Sequence, residues 1–335
     1  MNNTKNTRKV IMSIMILILI ISDAKTAASG VRDGIHMCLN VVIPSLFPFF
    51  IITTYINSIM FGYRVPGLQY ITHRLRIPGG GESILLLGLT GGYPVGAKLI
   101  ADLYKENIIS RQTANILLGY CNNAGPAFIF GIAGAAFASP IIPLILWIIH
   151  ILSAVFTGFL LPKPELTNIK LPPAPKVSMT QVISGSISAC ISVCGWVIVF
   201  KILLTYLNTW FSNLFLRPIG IILTGMLELS NGCIAAEQLV NPSTRFLLFA
   251  VFFAFGGICV FLQTTSVTEP LGSGLYIHGK IIQTCISLIA ACICSSMLFP
   301  DHRLPVPLMF ITMILAITIV FFTVKYSKKC WKSGK

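Results

Sequence analysis

Two apolar stretches of the chain are interrupted by polar, helix-breaking residues of the kind that bind solutes inside membranes. The first, 85–103, carries Gly91-Gly92-Tyr93-Pro94-Val95-Gly96-Ala97-Lys98, and the second, 219–239, carries Glu228-Leu229-Ser230-Asn231-Gly232. An unpaired backbone amide or carbonyl in lipid costs several kcal/mol, so such breaks persist only within protein or beside a cavity. Broken segments at matching places in two halves of a chain are typical of a transporter's binding site.

Lys98 is the cationic candidate of the first break. The half-helix that follows the break begins with free amides and a partial positive charge, which favour a carboxylate. A lysine there adds a full charge, and a charge inside a membrane indicates a function. The alternative is a structural role, in which Lys98 either reaches the membrane interface or pairs with Asp102, four residues on and on the same helical face. The residues alone leave both roles open.

Glu228 and Asn231 are the polar candidates of the second break. A buried carboxylate there is able to bind Na⁺ or to carry a proton, because burial disfavours its charged form. It is equally able to cap the second half-helix, since carboxylate and Asn side chains accept hydrogen bonds from free amides. Both interpretations remain open from the sequence.

Asn122 and Asn123 precede the helix-breaking pair Gly125-Pro126. Their amides offer donors and acceptors to a polar ligand. Alternatively, they satisfy the backbone groups that Pro126 frees.

Gln263 follows Gly256-Gly257 and either faces a cavity or bridges helices. Lys280 lies nearer a helix end, where a long basic side chain is expected to reach the membrane interface. The expected substrate-binding residues are therefore Gly92, Tyr93, Pro94, Gly96, Lys98, Asn122, Asn123, Glu228, Asn231 and Gln263.

No enzyme signature is present, so no catalytic residue, cofactor or metal site is expected. The sequence has no phosphate loop, HExxH or GxSxG motif, and its five histidines are scattered. The ten cysteines lie mostly in apolar segments. Since no histidine or second cysteine pair completes a zinc site, we expect them to pack as small hydrophobic residues.

Composition places the chain in the membrane. It has 335 residues, 55% hydrophobic and 10% charged, whereas soluble proteins have about 25% charged residues. The formal net charge of +14 does not indicate nucleic-acid binding, because the basic residues cluster in short segments between apolar runs. We therefore expect an all-α polytopic membrane protein.

Apolar runs long enough to cross a bilayer predict about eight transmembrane helices plus the two broken segments. The first, Val10 to Ala28, also resembles a signal peptide, and its cleavage is left open. The other runs are 36–61, 113–137, 141–161, 182–208, 243–267, 277–299 and 304–325.

The two halves share an order of long helix, broken helix and glycine-containing helix, which indicates an internal repeat. Residues 34–56 align without gaps on 185–207, and Gly92 to Gly96 falls opposite Glu228 to Gly232. The expected units are an N-terminal helix (1–29), a first repeat (30–161), a proline-rich linker (162–178), a second repeat (179–300), and a last helix with a basic tail (301–335).

Charge distribution predicts the topology. If each broken segment is re-entrant (83–103 and 217–240), one side of the membrane receives 1–9, 62–82, 103–112, 162–178 and 325–335. These segments hold most of the 24 Lys and Arg residues, which places both termini and the linker in the cytoplasm. Each repeat then crosses three times, so the repeats are inverted and the two hairpin tips meet.

The stretch Gly88 to Gly134, with its GGYPVGAK and CNNAGP motifs, resembles the YlbJ-type sporulation integral membrane proteins of the nucleoside-recognition, or Gate, domain group. The segments Leu227 to Gly232 and Ala254 to Gln263 are also similar to that family. The likeness spans about residues 30–325, so the two repeats are expected to be Gate-like.

This resemblance implies a sporulation protein of the cell membrane or outer forespore membrane that moves dipicolinate into the forespore. Dipicolinate is a planar dianion, which agrees with Lys98 at a half-helix start. Two alternatives remain: a carrier of nucleosides or another solute, and a non-transporting assembly protein. The expected partners are a small anion and membrane lipid but not nucleic acid; a coupling ion and the oligomeric state are left open.

The topology is testable with an epitope inserted into 162–178. We expect antibody access to this epitope from the same membrane face as to tags on both termini, because the basic segments share that face. An epitope reached only from the opposite face would contradict the re-entrant form of 83–103 and the inverted repeat.

Overall fold

Helices make up all the regular structure of the described part of the chain. The computed structural model describes residues 2–60, 65–77, 81–163, 177–212, 218–269 and 271–333, and no strand occurs within these ranges. The predicted linker (162–178) lies largely outside the described residues.

The helices before the linker include several short ones, because the chain breaks repeatedly. A π-helical turn, Cys38–Val42, joins α2 to α3. The helices are α1 (Asn2–Ser22), α2 (Ala24–Met37), α3 (Ile43–Met60), α4 (Leu68–Leu75), α5 (Glu82–Thr90), α6 (Val95–Lys105), α7 (Arg111–Leu118), α8 (Pro126–Ala136) and α9 (Ile141–Leu160).

The helices after the linker follow the same alternation of long and interrupted segments. A short 3₁₀ turn, Pro300–His302, precedes the last helix. The helices are α10 (Met179–Trp210), α11 (Pro218–Leu227), α12 (Leu229–Glu237), α13 (Pro242–Phe255), α14 (Gly257–Val267), α15 (Gly274–Leu298) and α16 (Val306–Ser333).

The prediction of an all-α polytopic membrane protein is confirmed. Within the described residues, 6 helical segments are long and apolar enough to cross a membrane, and shorter apolar helices accompany them. The long segments are Ala24–Ile56, Ile141–Leu160, Met179–Trp210, Pro242–Val267, Gly274–Leu298 and Val306–Lys329; the shorter ones are Val10–Ser22, Pro126–Ala136 and Pro218–Leu227.

The helix predicted from Val10 to Ala28 is divided at Asp23. The Asp23 carboxylate accepts a hydrogen bond from the Thr26 amide at 3.2 Å and so starts α2. From Ala24 the helical segment continues to Ile56 as one candidate span. The first helix boundary of the described residues therefore lies at Asp23, before the end of the predicted first crossing.

The crossing predicted at 113–137 is not continuous. The chain leaves helical geometry between Leu118 and Pro126, because a proline lacks an N–H and disfavours helical geometry in the residue before it. Gly125 is accordingly extended (φ −72°, ψ 152°). The crossing at 243–267 is likewise interrupted, at Gly256 and Gly257, whose φ values of 81° and 82° favour glycine.

The same order of elements occurs in both halves. A long helix (α3 or α10) is followed by a helical hairpin (α5–α6 or α11–α12), a broken helix (α7–α8 or α13–α14) and a further long helix (α9 or α15). Corresponding helices of the two halves also make equivalent contacts with the other half. The hairpin helix α6 contacts α14 as α12 contacts α8, and the broken-helix segment α7 contacts α15 as α13 contacts α9. This reciprocal packing interlocks the halves; their inverted orientation across a membrane stays a prediction.

The two arms of each hairpin approach one another at glycines. In the first hairpin, Gly88 and Gly96 pack against the backbone of Cys121, and in the second, Gly232 lies against Gly225. A Cβ atom on Gly88 would lie 2.5 Å from the Cys121 Cβ, closer than such atoms approach. Small residues that allow close backbone contact are typical of helix packing in membranes.

A substitution at Gly96 tests this close packing. We expect Gly96→Ala to lower stability by about 1–3 kcal/mol, because the added methyl group overlaps the Cys121 carbonyl. The matched control is Gly134→Ala in α8, where a Cβ meets nothing within 4 Å. Thermal unfolding of the purified protein in detergent measures both variants. Equal stabilities of the two would contradict the close approach.

Candidate functional site

The breaks of the two halves meet at one cavity. Its lining includes Tyr93, Ala124 and Gly125 from the first half, and Glu228, Ser230 and Gln263 from the second. The space open to the centre of a water-sized sphere is about 40 Å³. Since one water needs roughly 10–15 Å³ by that measure, the cavity accommodates a few waters or an ion. A solute with two carboxyl groups requires the surrounding helices to separate.

Glu228 caps the second half-helix. One oxygen of its carboxylate accepts the Ser230 amide at 3.0 Å, and the other accepts the Asn231 amide and side-chain Nδ2, both at 2.7 Å. These bonds satisfy amides that would otherwise be free at the start of α12. The partial positive charge of that helix end also stabilises the carboxylate. The contacts of Glu228 therefore match the capping alternative.

Asn122 occupies the start of the first half-helix. Its Oδ1 accepts the Ala97 amide of α6 at 3.3 Å, and its Nδ2 donates to Thr264 Oγ1 on α14 at 2.9 Å. Thr264 in turn donates to the hydroxyl of Tyr276 on α15 at 3.4 Å. The start of α6, which the sequence predicted as a binding place for a substrate carboxylate, is thus partly occupied by a neutral side chain.

Asn123 and His150 satisfy backbone groups freed between α7 and α8. Asn123 Nδ2 donates to the Tyr120 and Gly88 carbonyls at 2.7 and 2.9 Å. His150 Nε2, on α9, accepts the Ala124 amide at 3.1 Å. All these side chains are buried. In this conformation both asparagines of the pair are engaged within the protein.

Tyr93 connects the first hairpin with the second broken helix. Its hydroxyl donates to the Phe253 carbonyl on α13 at 3.3 Å. Gly92 beside it adopts φ 79° and packs against Gly125, so the hairpin tip lies directly on the α7–α8 break. Tyr93 therefore lines the cavity and joins the first hairpin to α13.

Lys280 is the residue that sequence reasoning missed. The expectation that it reaches the membrane interface is wrong: its side chain is 2% exposed and lies in the centre of the polar network. The signal was the spacing of Tyr276, Lys280 and Gln283, which places three polar side chains on one face of α15. Lys280 Nζ donates to Tyr93 Oη at 3.2 Å, Asn123 Oδ1 at 3.3 Å and Gln283 Oε1 at 2.8 Å.

The other predicted site residues occupy different surroundings. Lys98 is exposed on α6, outside the cavity lining, and no ion pair joins it to Asp102. Pro94 lies at the start of α6, and Gln263 donates through Nε2 to Cys259 Sγ at 3.3 Å. The assignment of the ten residues to a substrate site stays a prediction. Among the described residues, no cluster of His, Cys, Asp or Glu has the arrangement of a metal site.

Comparison with known proteins gives one informative relative. The chain is 34% identical over 145 residues to the sporulation integral membrane protein YlbJ of Bacillus subtilis (strain 168). The resemblance to the YlbJ-type proteins is confirmed. The match covers 41% of this chain but 35% of the relative's length, so the chain spans about a third of that protein. No protein-family model matches the chain, and neither does any solved structure.

The capping role of Glu228 is testable through stability. We expect Glu228→Ala to destabilise the protein by about 1–2 kcal/mol, because two helix amides lose their acceptor. Glu228→Gln keeps one acceptor oxygen and is expected to lose less stability than Glu228→Ala. Glu237→Ala, at the partly exposed end of the same helix, is the control. Thermal unfolding in detergent measures all three, and equal melting of Glu228→Ala and Glu237→Ala would contradict capping.

Proposed function

We propose that the protein is a membrane carrier that acts in sporulation. Its solute in this proposal is a small anion, dipicolinate. The observation that supports transport is that both hairpin tips and both broken helices border one interior cavity. Paired broken helices around a common site are the arrangement by which secondary transporters bind substrate. The sporulation role is supported by the relative's name, whereas the solute is only what the resemblance to the YlbJ-type family implies.

In this proposal the described conformation is closed. The cavity of about 40 Å³ is too small for dipicolinate, so entry requires one hairpin to move relative to the other half. The hydrogen bonds to be broken include those of Tyr93 to Phe253 and to Lys280, and that of Asn122 to Thr264. They join the first half to α13, α14 and α15, which makes that boundary the opening surface. The solute crosses without chemical conversion.

Uptake by reconstituted vesicles tests the proposal. We expect vesicles that contain the purified protein to take up labelled dipicolinate faster than vesicles without it. Excess unlabelled dipicolinate should compete, whereas labelled uridine should enter both kinds of vesicle equally slowly. Protein-dependent uptake of uridine alone would favour the nucleoside carrier. Absence of uptake of either solute in both membrane orientations would contradict transport.

A further inference from the structure

Lys280 is a buried basic residue that has no counter-ion among the residues that the structure describes. It lies on α15 with its ammonium group 5.1 Å from the ring centre of Tyr93 and 5.8 Å from that of Tyr276. Aromatic faces at such distances attract a cation. All other contacts of the ammonium group are to neutral oxygen atoms.

The hydrogen-bond directions identify Lys280 as a donor in all three bonds. Asn123 Nδ2 is committed to two carbonyls, which fixes Asn123 Oδ1 as the acceptor. Gln283 Nε2 donates to Asn123 Oδ1 at 2.9 Å and to the His150 carbonyl at 3.4 Å, which fixes Gln283 Oε1 as the acceptor. The Tyr93 hydroxyl donates to a carbonyl and so accepts from Lys280. Three donated bonds are the full capacity of an ammonium group.

No carboxylate of the described residues pairs with this ammonium. Glu228, the buried acid of the same interior, has both oxygens engaged with the start of α12. A buried charge without a partner of opposite sign is costly, and inside a membrane it indicates a ligand or a transport role. An anionic ligand would supply the partner of opposite charge that Lys280 lacks among the described residues.

We propose that Lys280 is the cationic subsite for a carboxylate of the transported solute, and that the Tyr93 hydroxyl occupies the position of that carboxylate until the solute binds. This inference rests on the proposed function and names the group that selects an anionic substrate. Tyr93 lines the cavity and contacts Lys280, which is not itself among the lining residues, so Tyr93 connects Lys280 with the cavity. A carboxylate that enters there replaces the neutral hydroxyl as acceptor of the Lys280 N–H.

This exchange links binding to movement of the first hairpin. Tyr93 bonds both to Lys280 and to the Phe253 carbonyl, so displacement of its hydroxyl releases the hairpin tip from α15 and α13 together. The hairpin then loses these hydrogen bonds to the second half. Binding of the anion thereby favours the open arrangement that the solute needs.

The binding affinity of purified variants for dipicolinate tests the subsite. We expect Lys280→Gln to weaken binding tenfold or more, since a charge-assisted bond is lost, and Lys280→Arg to recover part of it. Tyr93→Phe should change affinity in the opposite direction and tighten binding, because the competing hydroxyl is gone. Lys105→Gln, at an exposed position of α6, is the matched control and should bind as the parent protein does.

A charge series of probes adds a second readout. The parent protein should prefer pyridine-2,6-dicarboxylate to the neutral pyridine-2,6-dicarboxamide, and Lys280→Gln should lose that preference. A parent protein that neither binds nor transports dipicolinate would overturn the proposed function. If the parent transports it but Lys280→Gln keeps parental affinity, the subsite alone is wrong. If Lys280 variants do not fold, unchanged or weaker binding by Tyr93→Phe overturns it.

Discussion

The structure depends on one constraint: backbone amides and carbonyls freed at helix breaks need partners inside the protein, because lipid supplies none. Each break meets this need with a side chain. Glu228 bonds the amides of α12, Asn122 the start of α6, Asn123 the carbonyls near Tyr120, and Tyr93 the carbonyl of Phe253. The interior polar residues thus mainly stabilise non-helical backbone. A solute site has to use the polar groups that are not already bonded to that backbone.

Most of the polar groups around the cavity are consequently committed to the protein itself. Helix starts that favour anions in isolation are capped by Glu228 and Asn122, which reduces their capacity to bind a solute carboxylate. Lys280 differs, because its neutral acceptors leave its charge uncompensated. In the proposed carrier, the electrostatic preference of the site is set by Lys280 of α15, whereas its shape is set by the hairpins.

Sequence reasoning predicted the positions of the breaks, the all-helical class and the repeated order of elements, because glycine, proline and polar residues within apolar runs are local signals. It could not choose between capping and ligand binding for Glu228, since that depends on which amides the carboxylate reaches after folding. It left Lys98 open between substrate contact and a structural role and placed Lys280 at the interface, whereas Lys98 is exposed and Lys280 is buried. The position of Lys280 near a predicted helix end did not indicate its burial, because burial is decided by the neighbouring helices.

The cross-half bonds also bear on how the chain is assembled during synthesis. The first hairpin and Asn122 leave the ribosome long before α14, yet the Asn122 side chain finds its acceptor on Thr264 and Tyr93 finds its acceptor on Phe253. Until those helices arrive, the first hairpin carries polar groups that lipid does not satisfy. We therefore expect the nascent first half to stay next to the insertion machinery or at the membrane surface, and its hairpin to reach its final position only when Phe253 and Thr264 of the second half have been made.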